Sequence, residues 1–226
     1  MKTFSREKLL LEPPPLGGVL YLSGFPGGGN KSHDKSPYGN IGTLTGATWT
    51  KLPSGPYCLD FDGIDDYVSC GNSPSFNVSA ITVSAWVRLD AYNADGSVVI
   101  SKGFYSLDTG WTLFVSSAGQ AKFYINSWST KVAYFPTVLS LNKWYHLAGA
   151  YNRQNIRIFV NALEGTAYAM TEAMTTNTEQ VRLGTRAIAG SYYHNGNIAL
   201  PRVMNRPLSA LDIANIYNRE RWLFEV

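Results

Sequence analysis

The stretch that decides the fold reads Ile81-Thr82-Val83-Ser84-Ala85-Trp86-Val87-Arg88-Leu89. Its odd-numbered positions are all apolar, so an extended chain here has one apolar face at a period of two residues, which predicts a strand. Three further segments repeat the pattern, and a fourth reads as a strand covered on both faces: Trp111–Val115, Ala121–Ile125, Ile156–Val160 and then Trp144–Tyr151. Many such segments separated by turn residues predict a sandwich or barrel, and partly covered second faces favour two stacked sheets.

Composition narrows the class of protein. The chain has 226 residues, of which 45% are hydrophobic and only 15% charged, so wholesale disorder is excluded. The net charge of +3 comes from scattered residues, which speaks against a nucleic-acid-binding surface. No apolar run approaches the ~20 residues of a membrane span. The first residues are charged and lead to three leucines only, so we expect no signal peptide.

One helix is predicted, at the C-terminal end. Ser209 with Asp212 three residues later is a variant of the capping box, and Leu208 can meet Ile213 as a hydrophobic staple. The helical period continues to about Arg219. We therefore expect three segments: an N-terminal docking arm at 1–16, one sandwich domain at 17–208, and a helix with its tail at 209–226 that packs on the sandwich.

Turn residues lie at the centre of Phe61-Asp62-Gly63-Ile64-Asp65-Asp66-Tyr67-Val68. Asp side chains accept N–H groups of a loop and Gly63 supplies a positive φ, so the segment predicts a hairpin with an acidic turn. Cys58 and Cys70 are equidistant from Ile64 and would face each other on neighbouring strands. A disulfide fits such a spacing, while two small buried apolar residues are the alternative favoured without an export signal.

Several segments together resemble a known family: Gly42–Trp49, Phe61–Val68, Ile81–Trp86, Asn142–His146 and Gly196–Ser209. In this order they are similar to the laminin G-like jelly roll of the concanavalin A-like lectin/glucanase superfamily, and the similarity spans roughly residues 19–218. The resemblance implies an all-β, two-sheet antiparallel sandwich with one short C-terminal helix. It leaves function open, because the fold hosts lectins, adhesion modules, glycosidases and virion proteins.

Catalytic residues are not expected. Glycosidases of this superfamily carry Glu-x-Asp-x-Glu on one strand, which this chain lacks, and hydrolysis needs two carboxyl groups about 5–9 Å apart. The aspartates of the acidic turn are expected to accept N–H groups of that turn, so they need no catalytic role. His146 alternates within a strand and is interpreted as a hydrogen-bonded sheet residue. We therefore expect no enzyme and keep a glycosidase as a distant alternative.

The resemblance also implies a structural Ca²⁺ at the sandwich edge, with Asp34 and the carbonyl of Asn40 as its ligands. Two segments where relatives carry acidic residues read Leu22-Ser23-Gly24 and Ile198-Ala199-Leu200. One remaining carboxylate provides little charge to replace the hydration shell of a hard dication. We expect no cofactor, and this Ca²⁺ site is the alternative.

We expect a structural or interaction module of a virion, a phage capsid or tail, found in the virion or outside the cell after lysis. It would associate with protein partners or itself through an apolar arm of Leu9, Leu10 and Leu11 that precedes three stiff prolines. The alternative is a lectin or adhesion module for cell-surface glycans. Its candidate stacking residues, all in turn-rich segments, are Tyr105, Trp128, Tyr192 and Tyr193.

Overall fold

The computed structural model of the chain describes residues 16–26, 28–103, 109–127, 130–186 and 191–225. The strands are β1 (Gly18–Pro26), β2 (Lys31–Asp34), β3 (Gly42–Thr45), β4 (Thr48–Lys51), β5 (Tyr57–Asp62), β6 (Tyr67–Ser69), β7 (Ile81–Leu89), β8 (Ser97–Lys102), β9 (Trp111–Val115), β10 (Gln120–Ile125), β11 (Val132–Val138), β12 (Trp144–Tyr151), β13 (Asn155–Val160), β14 (Leu163–Glu164), β15 (Tyr168–Ala169), β16 (Val181–Leu183) and β17 (Asn195–Met204). The α-helix is α1 (Ala210–Glu220), and short 3₁₀ turns lie at Pro74–Phe76 and Arg221–Leu223.

The strands form two stacked sheets, and every ladder between the described strands is antiparallel. The first sheet runs β4–β5–β17–β7–β12–β13, with β14 and β15 at its edge. The second runs β2–β3–β6–β16–β8–β9–β10–β11. Strand β1 joins both, because its first half pairs with β17 and its second half with β2. The predicted antiparallel sandwich is confirmed.

The apolar faces of the two sheets meet in one core. Ile81, Val83 and Val87 of β7 point into it, as the alternating pattern predicts. The sheets approach closely where Phe123 of β10 lies over Gly149 of β12. A Cβ at Gly149 would stand 2.2 Å from the Phe123 ring, so no other residue fits there without displacing the ring.

The helix α1 covers part of the other face of the first sheet. Ser209 caps it, with a capping box to Asp212 as the sequence predicts. Leu208 and Ile213 share a buried apolar cluster, which confirms the staple. The described helices are all too short to span a bilayer.

The predicted hairpin around Ile64 is wrong. Strand β5 lies in the first sheet and β6 in the second, so the acidic turn is a corner between sheets. The turn is closed locally, because Asp66 accepts the N–H of Asp62 at 2.9 Å and Asp62 accepts that of Ile64 at 2.8 Å. These bonds suit a hairpin and a corner equally. Cys58 and Cys70 are therefore not opposite each other, and both are buried free thiols.

Candidate functional site

The outer face of the first sheet is built from rows of side chains that face each other across strands. Three rows lie beneath α1 and its tail. Their members are Met204, Thr82 and Ala150, then Tyr21, Arg202, Ser84, Ala148 and Phe159, then Ala199, Trp86 and His146. A fourth row, at the end of the sheet, consists of Asp60, Asn197, Arg88 and Trp144. The first three rows are mostly apolar, and the fourth is polar with one indole.

An ion pair anchors α1 over the middle rows. Arg202 donates to both carboxylate oxygens of Glu220, and both side chains are almost completely buried. Trp86 Nε1 donates to the same carboxylate at 2.9 Å. Burial opposes both charges, but the pairing outweighs it, lowering the pKa of Glu220 and raising that of Arg202. The pair holds the end of α1 on Trp86.

His146 lies next to this pair. Its ring is fully buried beside Trp86 and Tyr217, and neither ring nitrogen has a hydrogen-bond partner. The interpretation of His146 as a hydrogen-bonded sheet residue is therefore wrong for its ring, because the apolar cover from the helix supplies no acceptor. Burial lowers its pKa to about 4, although Glu220 acts in the opposite direction.

The helix α1 and its tail cover the first three rows but not the fourth, at the end of the sheet. Phe224 of the tail stacks on Trp86 with ring centroids 4.2 Å apart and meets Trp144 at 4.8 Å. Beyond it lies an open groove of about 510 Å³. We call it the end groove; its lining consists of Arg88, Asn142, Lys143, Trp144, Tyr145, Asn161, Phe224 and Glu225.

Hydrogen bonds fix the polar side of the end groove. The Arg88 guanidinium donates to Asn142 Oδ1 at 2.9 Å and to Asn197 Oδ1 at 2.8 Å, and it lies 3.2 Å from the Asp90 carboxylate. Asn197 in turn donates to Asp60, whose pKa is raised by burial. The guanidinium is thus held in one position at the floor of the groove.

The sequence-predicted glycan residues do not line this groove. Tyr192 lies on the outer face of the second sheet, where its ring meets Phe114 edge-on at 6.0 Å and the Arg186 guanidinium lies 4.9 Å from it. Tyr193 is half-buried, and its carbonyl accepts a hydrogen bond from Asn93. Tyr105, Trp128 and the arm of Leu9, Leu10 and Leu11 lie outside the described residues. The four aromatic candidates and the arm stay predictions.

Asp34, the candidate calcium ligand, is occupied by protein donors. One carboxylate oxygen accepts the N–H groups of Tyr21 and Ser36 at 2.8 Å, and the other accepts that of Asn40 at 2.7 Å. Asn40 is buried, and its side chain donates to the carbonyl of Val19 at 2.6 Å. The two residues do lie together, and the bonds show a loop cap. The Ca²⁺ site stays a prediction.

Asp62, Asp65 and Asp66 bring carboxylate oxygens within 4.8 Å of one another. Asp62 and Asp66 accept loop N–H groups, as the sequence predicts for turn aspartates. Burial raises the pKa of Asp66. The cluster is explained by the turn it closes.

Sequence reasoning missed the end groove. Arg88, Trp144 and Asn197 come from three strands far apart in the chain, and only the register brings them together. The available signal was the polar run Asn142-Lys143 directly before two aromatic residues at the start of β12.

Comparisons with known proteins agree with the architecture. A family model described as the concanavalin A-like lectin/glucanases superfamily matches residues 62–214. No curated protein matches the chain by sequence. Similar solved structures include the botulinum neurotoxin type G receptor binding domain, at a TM-score of 0.65 and 16% identity over 90% of this chain. The binding domain of Paraclostridial Mosquitocidal Protein 1 gives 0.70 and 14% over 90%, and Trypanosoma rangeli sialidase in complex with sialic acid gives 0.70 and 15% over 93%.

These identities show a shared fold and no more. The chain spans 51% and 52% of the two binding domains and 34% of the sialidase. It therefore corresponds to about half or a third of each similar structure.

Proposed function

Because this chain belongs to the concanavalin A-like lectin/glucanase superfamily, we propose that it is a glycan-binding module without catalytic activity, and that its ligand binds in the end groove. The fold alone does not decide this, since one fold carries many functions. The proposal rests on the groove.

The observation that carries the proposal is the partly buried indole of Trp144 beside a hydrogen-bonded guanidinium and two carboxamides in one open groove. A pyranose ring has an apolar face and an edge of hydroxyl groups. An aromatic ring can pack against the first, and Arg88, Asn142 and Asn161 can hydrogen-bond the second. A concave site with an apolar wall and few placed polar groups is what small ligands require.

The comparisons support the proposal at the level of fold. Two of the similar structures are named as a receptor binding domain and a binding domain, and the third is a sialidase with sialic acid bound. A binding role suits a domain that corresponds to part of such proteins.

The absence of catalysis is part of the proposal. Its support is that the clustered carboxylates of Asp62 and Asp66 are engaged by loop N–H groups. Asp60, which lies in the same row of side chains as Arg88 but outside the lining of the end groove, accepts a hydrogen bond from Asn197. Incubation with β-glucans, galactans and sialosides should give no products.

A glycan array with the full chain tests the binding role. Trp144→Ala should reduce binding at least tenfold, because it removes the stacking surface. Trp222→Ala is the matched control, since Trp222 is also partly exposed in the C-terminal segment but lies outside the groove lining. No binding to any glycan, or equal loss in both variants while both melt like the parent chain, would overturn the proposal.

The finer role, a virion or assembly module with self-association through Leu9–Leu11, stays a prediction, as does its place in a virion. Residues 1–15 lie outside the described part of the chain. Deletion of residues 1–15 followed by sedimentation tests it. Loss of association with an unchanged melting temperature would favour it, and unchanged association would contradict it.

A further inference from the structure

We infer that the end groove selects a pyranose that bears a carboxylate, such as a uronic acid unit. The inference rests on the proposed glycan binding and adds the class of sugar. It follows from the kind of hydrogen-bonding groups that line the groove.

The two carboxamides of the groove are oriented by the protein. Asn142 Oδ1 accepts from Arg88 Nη2 at 2.9 Å, and Asn161 Oδ1 accepts from the backbone N–H of His146 at 2.8 Å. In each amide the oxygen is engaged, so the Nδ2 group points away from that donor. Within the described residues neither Nδ2 donates to a protein acceptor, so both remain available to a ligand.

Both asparagines are positioned by hydrogen bonds of their backbone as well as of their side chains. Asn142 has φ +59° and Asn161 has φ +48°, a left-handed region that Asn tolerates better than most residues. Their own N–H groups are bonded to the carbonyls of Leu89 and His146, at 2.7 and 2.9 Å. Donors that are already fixed lose little freedom when a ligand binds.

Donors therefore dominate the groove. Arg88 and Lys143 are cations that can only donate, and the indole N–H of Trp144 is also a donor. In the described part of the chain, Arg88 Nη1 is engaged by Asn197 and Asp90 and one Nη2 hydrogen by Asn142, which leaves its Nε and the second Nη2 hydrogen for a ligand. Glu225 is the carboxylate among the lining residues, and its side chain is exposed. A sugar hydroxyl can both donate and accept hydrogen bonds. Donors of the groove can use only its ability to accept. A carboxylate only accepts, and its charge-assisted bonds are about twice as strong as neutral ones.

Methyl β-D-glucuronide and methyl β-D-glucoside form a matched pair of probes, because they differ only at C6. Titration of the full chain by NMR should show at least tenfold tighter binding of the glucuronide. Asn142→Asp and Asn161→Asp should each remove that preference, because the donating NH₂ becomes an anionic oxygen while the other oxygen keeps its protein bond. Glu225→Gln should strengthen glucuronide binding by removing a like charge.

Asn152→Asp is the control for the charge change. Its amide oxygen also caps a turn, at 2.9 Å from the N–H of Gln154, on an exposed loop outside the groove. It should leave glucuronide binding unchanged. If both glycosides bind equally and Trp144→Ala abolishes both, the glycan role stands and the inference is overturned. Binding of neither glycoside, or glucuronide binding that survives both Asn→Asp changes, also overturns it.

Discussion

The outer face of the first sheet has two regions that differ in what covers them. Under α1 the rows contain Trp86, Ala148 and Met204, and the one strong charge there, Arg202, is neutralised by Glu220. One row further along the same strands, Arg88 and Trp144 are only partly buried and line the open end groove. A step of two residues along a strand thus leads from the buried clusters beneath α1 to the polar end groove. The position where the helix and its tail end sets the boundary between the two regions.

The largest change in unfolding free energy is expected from a substitution that removes the buried ion pair beneath α1. Glu220→Gln keeps the shape of the side chain but leaves the Arg202 charge buried without a partner, which costs about 3–5 kcal/mol of unfolding free energy. Urea unfolding measures it. Glu164→Gln is the control, because its bond to Arg157 at 2.6 Å lies near the surface and is worth about 1 kcal/mol or less. Equal losses in the two variants would contradict the described role of the buried pair.

Two buried histidines should make the unfolding free energy depend on pH. Burial lowers the pKa of His146 and of His194 to about 4, below the ordinary value of 6.5. The unfolded chain therefore takes up protons first, so stability is fully present above about pH 6.5 and falls as the pH drops toward 4. Each histidine contributes on the order of 3 kcal/mol to that fall.

The charged groups that act on His146 are Glu220 and Arg202. Replacing His146 should show how much of the acid-induced loss of unfolding free energy comes from this one ring. His146→Leu should flatten the decline of unfolding free energy between pH 6.5 and 4, and His194→Leu should flatten the remainder. Urea unfolding at stepwise pH is the measurement. A parent chain that is equally stable at pH 7 and pH 4.5 would show that the two rings do not titrate as described.

The smallest effect is expected on the second sheet. Tyr192→Ala removes the contacts of its ring with Phe114 and with the Arg186 guanidinium and should cost about 1 kcal/mol, without changing glycan binding. Thermal unfolding and the glycan array together check this. Lost binding in a folded Tyr192→Ala protein would move the site to the outer face of the second sheet, where the sequence-based candidate lies.

How much the sequence predicts depends on the range of the interactions involved. Strands β7, β9 and β13 follow from apolar alternation, and α1 follows from the Ser209 cap, because these signals are local. The turn at Asp62–Asp66 was misread because the same local hydrogen bonds close a hairpin and a corner.

The end groove was missed because its residues meet only through strand register and through the tail. Nothing near Arg88 in the chain indicates that Trp144 and Asn197 flank it. The lack of ring partners at His146 likewise depends on what the distant helix places over it.

The central claim is that the ligand binds in the end groove. Its most direct test is an NMR titration of the ¹⁵N-labelled chain with methyl β-D-glucuronide and methyl β-D-glucoside, observing the indole N–H of Trp144 and the side-chain amides of Asn142 and Asn161. The account predicts saturable shifts at these three groups and none around Tyr192. Shifts confined to Tyr192 and its neighbours, or no shifts with either glycoside, would contradict it.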